Sequence, residues 1–135
     1  MAGHLIRRLH QQSTQVFQAG TRAAGFDMTS VQFAALDAIA AQPGIDQAGL
    51  AAAISFDRAT IGGVVDRLEG KGLVQRAVSA ADRRARRLTL TPEGRRVLAA
   101  SRPVVEALQA EILAPLTRAE RKAFLALAQK ALGLA

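Results

Sequence analysis

The 135-residue sequence predicts a mainly α-helical fold carrying one small antiparallel β hairpin. Three observations carry this expectation. Apolar residues recur at helical spacing through most of the chain, whereas Leu73 to Ser79 and Arg86 to Thr91 are short, alternating runs rich in β-branched residues. Between the helical stretches stand capping residues, and proline or glycine closes several of them.

In chain order, Leu5, Ile6, Leu9, Val16 and Phe17 form a broken stripe on a first helix from about residue 4, ending between Gly20 and Gly25. Thr29-Ser30-Val31-Gln32 is a capping box opening a second helix, with Phe33, Leu36 and Ile39 on its apolar side and Pro43-Gly44 as its stop. Asp46 caps a short third helix through Ile54, and Asp57 caps a fourth that ends at Gly70 to Gly72. After the hairpin, Thr91-Pro92-Glu93 combines a cap, a proline at the first helical position and an acid near the positive end of the helix dipole. Pro103 interrupts the apolar pattern of this fifth helix, so it should kink or restart near Ser101. Thr117-Arg118-Ala119-Glu120 is a second capping box, opening a sixth helix that runs to just before Gly133.

The length fits one unit, 1–135, with a real core. No apolar run reaches the 18 or so residues needed to cross a bilayer, and the N-terminus lacks a signal-peptide pattern, so a soluble, cytoplasmic protein is expected. Zero cysteines and two histidines argue against thiol redox chemistry and metal sites. No nucleophile paired with a base and no glycine-rich phosphate loop is visible, so no enzyme activity and no cofactor are expected.

The net charge of +7 is unevenly placed: residues 56–102 hold 11 of the 18 Lys/Arg and 5 of the 11 Asp/Glu, a local +6. Arg83, Arg84, Arg86 and Arg87 crowd the hairpin, where they repel one another unless solvent or an anionic partner surrounds them. A basic block confined to a third of the chain is the footprint of nucleic-acid binding, because each phosphate neutralised releases condensed counterions. A helix, helix, helix, hairpin order with a basic hairpin describes a winged helix-turn-helix lobe over residues 28–91. The flanking segments 1–25 and 92–135 carry more apolar residues than this lobe can cover, so they read as N- and C-terminal dimerisation helices.

The ordered set Met28-Thr29, Gln32-Phe33, Pro43-Gly44, Leu50-Ala51, Val65-Asp66-Arg67-Leu68-Glu69, Lys71-Gly72-Leu73-Val74, Asp82-Arg83-Arg84, Leu88-Thr89-Leu90-Thr91 and Gly94 resembles the multiple-antibiotic-resistance regulator (MarR) family over nearly the whole chain. The resemblance implies a homodimer on double-stranded DNA, with the fourth helix in the major groove and the wing in an adjacent minor groove. Arg84, third in the Asp-x-Arg motif that Asp82 opens, matches the family's minor-groove arginine, and Asp66 matches a position that pairs with it. A narrow minor groove favours a guanidinium even without a base-specific bond.

If Ile61, Val64, Val65 and Leu68 face the core, then Arg58, Ala59, Thr60, Gly62, Gly63 and Arg67 form the groove side of the fourth helix, joined by Arg83, Arg84 and Arg86 of the wing. Gly62 and Gly63 depart from the polar or basic residues usual in the family, at a helix cost of roughly 1 kcal/mol each relative to alanine. Either the backbone approaches DNA closely there, or Arg58, Thr60 and Arg67 alone read bases. His4-Leu5-Ile6-Arg7-Arg8-Leu9 with Gly44-Ile45-Asp46-Gln47 is similar to regulators of aromatic-acid catabolism, which implies a small aromatic carboxylate effector. Arg7 and His10, with Phe17, Phe33, Leu36 and Phe56 as apolar lining, are the candidate contacts. The expected function is a homodimeric, ligand-released transcriptional repressor on a pseudo-palindromic operator. The alternative is a ligand-independent architectural DNA-binding protein.

Overall fold

The computed structural model describes residues 1–78 and 86–134. Six helices and three short strands follow in the order α1 (Ala2–Ala23), α2 (Ser30–Ala41), β1 (Ile45–Asp46), α3 (Gln47–Ala53), α4 (Arg58–Gly70), β2 (Val74–Val78), β3 (Arg86–Leu90), α5 (Pro92–Ile112) and α6 (Arg118–Ala131) among the described residues. The mainly helical fold with a small antiparallel sheet is as the sequence predicts.

Each expected cap is made. The Thr29 hydroxyl accepts from Gln32 N while the Gln32 side chain accepts from Thr29 N, and Thr117 and Glu120 repeat the exchange at α6. Asp46, Asp57 and Thr91 accept from Gly49 N, Thr60 N and Gly94 N at 2.6, 2.7 and 2.9 Å. Four helices close with one backbone device, in which the residue after the cap turns left-handed and the next donates to a carbonyl five residues back. Phe26 N thus reaches Thr21 O, Phe56 N reaches Ala51 O, Leu73 N reaches Leu68 O and Leu134 N reaches Gln129 O. At three of the four the left-handed residue is glycine, but between α3 and α4 it is Ser55, at φ 59°.

The sheet order is β1-β3-β2, both pairs antiparallel. The two-residue β1 was not expected; Ile45-Asp46 is too short for an alternation signal, and only pairing with Leu88 and Arg87 of β3 makes it a strand. A single core runs through the lobe, with Leu36, Ile39, Leu50, Ile61, Val65, Leu68 and Leu88 fully buried. Val97, Leu98 and Val105 carry it onto α5, and Phe17 carries it onto α1.

α5 does not restart near Ser101; it is continuous through Pro103. Proline removes one amide donor, and the carbonyl that loses it, on Ala99, lies on the solvent side with Pro103 itself, where water can satisfy it. On the inner side Ser101 is fully buried and donates to Leu98 O, so the helix holds where it packs.

The terminal helices leave much apolar surface outside. Only Phe17 and Thr21 of α1 are buried, and no residue of α6 is. Leu5, Ile6, Leu125, Leu127 and Leu132 are each more than half exposed. No single helix is long and apolar enough to cross a membrane.

Candidate nucleic-acid interface

α4 divides its faces as the sequence requires. Ile61, Val64, Val65 and Leu68 are buried against the lobe, which leaves Arg58, Ala59, Thr60 and Arg67 in solvent and Gly62 and Gly63 half-covered. The Schellman turn at Ser55 sets the angle at which α4 leaves α3. Asp57 then fixes its first turn, because one carboxylate oxygen accepts from Thr60 N and the other from the Thr60 hydroxyl at 2.9 Å. These bonds, the backbone one first, hold the exposed Asp57 carboxyl below its ordinary range. Thr60 therefore presents its hydroxyl oxygen with its proton already committed.

The two glycines sit in open surroundings. A Cβ at Gly62 would lie 3.9 Å from Gln47 Nε2, and one at Gly63 would lie 3.5 Å from a terminal nitrogen of Arg67. Both distances are ordinary contacts, so the fold itself does not require glycine at either position.

The hairpin arginines separate along the strand alternation. Arg86 shares the sheet face of buried Leu88 and pairs with Val78. Arg87 lies on the opposite face, between Ala77 and Asp46, and its guanidinium donates to Gly44 O. Asp82, Arg83 and Arg84, including the expected minor-groove arginine, lie outside the described residues.

Sequence reasoning passed over Arg76. On β2 it occupies a position whose partner, Leu88, is core, yet its head reaches α4: NH2 lies 2.7 Å from Asp66 Oδ1 and NH1 lies 3.7 Å from Glu69 Oε1. The visible signal was an arginine on the apolar phase of an alternating strand, facing two carboxylates spaced three apart on a helix. Lys71 was also passed over; its ammonium donates to Asp27 O and to the buried Gln32 Oε1, tying the end of α4 to the start of α2.

The effector candidates fall into three settings. Phe17, in the core with Leu36, meets partly buried Phe33 at a centroid distance of 6.4 Å. Arg7 and His10 stand in solvent on α1; Arg7 lies 3.4 Å from His4 Nδ1, and His10 borders an open groove with Gln11, Thr14, Gln15 and Gln18. Phe56 is 43% exposed and follows the strained Ser55. Among the described residues, no group of three or more His, Cys, Asp or Glu could hold a metal ion.

A model of the MarR family matches residues 26–85. The transcriptional regulator HosA of Escherichia coli is 39% identical over 129 residues, spanning 96% of this chain and 93% of HosA. Two solved structures superpose closely. BpsR of Bordetella bronchiseptica, whose DNA binding is regulated by 6-hydroxynicotinic acid, gives a TM-score of 0.88 at 32% identity over 97% of this chain and 92% of its own. The repressor CouR, solved on a 23-mer DNA duplex, gives 0.87 at 28% identity over 98% and 92%. With a helix-turn-helix, an arginine-bearing hairpin and relatives of this kind, the chain belongs to the MarR family of transcriptional regulators.

Proposed function

We propose that this chain acts as a homodimeric, sequence-specific repressor in the cytoplasm, binding a pseudo-palindromic operator. The observation that carries the reading is the face of α4. Exposed Arg58, Ala59, Thr60 and Arg67 and half-covered Gly62 and Gly63 lie on the side of α4 away from its buried apolar face. Such a helix fits the major groove, and two copies related by a two-fold axis would address half-sites roughly 34 Å apart. The exposed leucines of α6 and the exposed start of α1 supply the self-complementary apolar surface that such a pair needs. In this reading Asp66 and Asp82 are the wing-orienting residues, Arg84 is the minor-groove arginine and Arg83 also contacts DNA.

The effector in this reading is a small aromatic carboxylate. Arg7, His10 and Phe17 follow one stripe of α1, charged at its solvent end and apolar where it meets Phe33, next to Leu36. Phe56 would close the apolar side. BpsR responds to an acid of this class. Binding there would favour a separation of the two lobes unsuited to the operator.

Selection of duplexes from a random pool by the full-length protein, followed by quantitative binding with and without a panel of hydroxylated aromatic acids, tests both halves. Enrichment of a two-fold-related sequence, weakened by one acid, is the expected result. Equal affinity for selected and random duplexes would instead establish the architectural reading.

A further inference from the structure

We propose that Arg76 is a positioning residue for DNA binding: it clamps the wing to the recognition helix and sets its positive charge against Asp66 and Glu69, without touching DNA itself. The proposal rests on the DNA-binding reading above, but its geometry stands apart from it. β2 alternates so that Val74, Arg76 and Val78 share one sheet face, and the cross-strand partner of Arg76 is the fully buried Leu88. The side chain is only 15% exposed, so its stem covers core while its head emerges against α4. There it meets Asp66 and Glu69, one helical turn apart on α4. Its Nε is buried with no partner among the described residues, a cost the fold carries to keep the planar head turned to the two acids.

Charge makes this contact matter for function. From its cap to its last turn, α4 carries Asp57, Asp66 and Glu69 against Arg58 and Arg67, so the helix is not itself cationic. A helix with three acids entering a groove lined by phosphates would be repelled unless the acids were neutralised. Asp57 stays ionised at the N-terminus of α4, where the positive end of the helix dipole offsets its charge, and Arg76 sets a positive charge against the other two. The same bond fixes where the wing root stands relative to α4, so the spacing between the groove helix and the wing depends on one guanidinium.

The test uses the full chain as wild type, Arg76→Ala, Asp66→Asn and the double variant. Amide exchange is followed without DNA at Val74–Val78 and Arg86–Leu90. Affinity is measured on a duplex selected by the wild type and on a scrambled duplex, across a salt series. Arg76→Ala is expected to speed exchange in both strands but not in α2, and to weaken the selected duplex by about tenfold, within the range for coupled contacting pairs. The salt slope should stay unchanged, and Asp66→Asn should add little to the loss in the double variant. Unchanged strand exchange overturns the clamp. So does a loss that is additive with Asp66→Asn and lowers the salt slope by about one, because that marks a phosphate contact. A wild type that selects no duplex defeats the DNA reading, and the exchange arm then decides the clamp alone. If Arg76→Ala does not fold, Asp66→Asn with Glu69→Gln keeps the arginine stem in place and breaks the ion pairs; faster exchange in both strands is then expected, and unchanged exchange overturns the clamp.

Discussion

The guanidinium of Arg87 donates to the carbonyl of Gly44 at 3.1 Å, so an arginine of the hairpin serves the sheet on the face opposite its neighbour Arg86. The bond closes over Asp46, the strand partner of Arg87 and the cap of α3. One arginine thus steadies the edge strand that launches the helix-turn-helix, and Arg86 is exposed on the other face.

Arg86→Ala should weaken operator binding across all sequences and lower the dependence of log affinity on log salt by about one. Arg87→Ala should leave that slope nearly unchanged and cost under about 1 kcal/mol of stability, because its bond is solvent-exposed. Anisotropy titrations over a salt series and thermal melts separate the two. Equal slope changes in both variants would show that the strand alternation does not divide the arginines.

Gly62→Ala and Gly63→Ala should each stabilise the free protein by about 0.5–1 kcal/mol, since the backbone is helical and a methyl group meets nothing closer than 3.5 Å. Both should weaken operator binding if the backbone of α4 approaches DNA there. Stabilised variants with unchanged affinity would assign base reading to Arg58, Thr60 and Arg67 alone.

Ser55 holds φ 59° where the same turn elsewhere in the chain uses glycine. Left-handed backbone costs a residue with a Cβ roughly 1–2 kcal/mol, so Ser55→Gly should raise the melting temperature. An unchanged or lower melting temperature would mean that the serine is not strained in solution.

Two glycines are required by packing, in different degrees. A Cβ on Gly94 would strike the backbone carbonyl of Leu73, which is fixed by its bond from Thr91 N, whereas one on Gly20 would strike only the side-chain end of Leu108. Gly94→Ala should destabilise by roughly 1–3 kcal/mol and Gly20→Ala by less, because a leucine can change rotamer and a hydrogen-bonded backbone carbonyl cannot. Denaturant unfolding gives the order directly.

Asp57 and Glu120 are held below the ordinary carboxylate range, each chiefly by the backbone N–H of the helix start it caps. A depressed folded-state pKa contributes stability that is complete above the unfolded value and is lost as pH falls through the folded one. Unfolding midpoints should therefore be flat through neutral pH and drop below the carboxylate range, with Asp57→Asn showing a shallower fall.

Where the chain's own chemistry was local, it was readable. Thr29, Asp46, Asp57, Thr91 and Thr117 each announce a helix start because a cap needs only a side-chain oxygen three residues before a free amide. The buried face of α4 followed from the spacing of Ile61, Val64, Val65 and Leu68 alone. What failed depended on partners distant in sequence. β1 exists only through β3, and Pro103 is tolerated because of which side of α5 it occupies. The role of Arg76 appears only when β2 folds onto α4. The exposure of Phe56 follows from a left-handed Ser55, which cannot be foreseen from a serine.

In the proposed function two copies of this chain read one two-fold-related DNA site. Sedimentation of the protein with a duplex it has itself selected counts the chains on each duplex. Two chains per duplex are expected, bound to a sequence with two-fold symmetry and half-sites about one helical turn apart. A single chain per duplex, or selection that enriches no symmetric sequence, would contradict it.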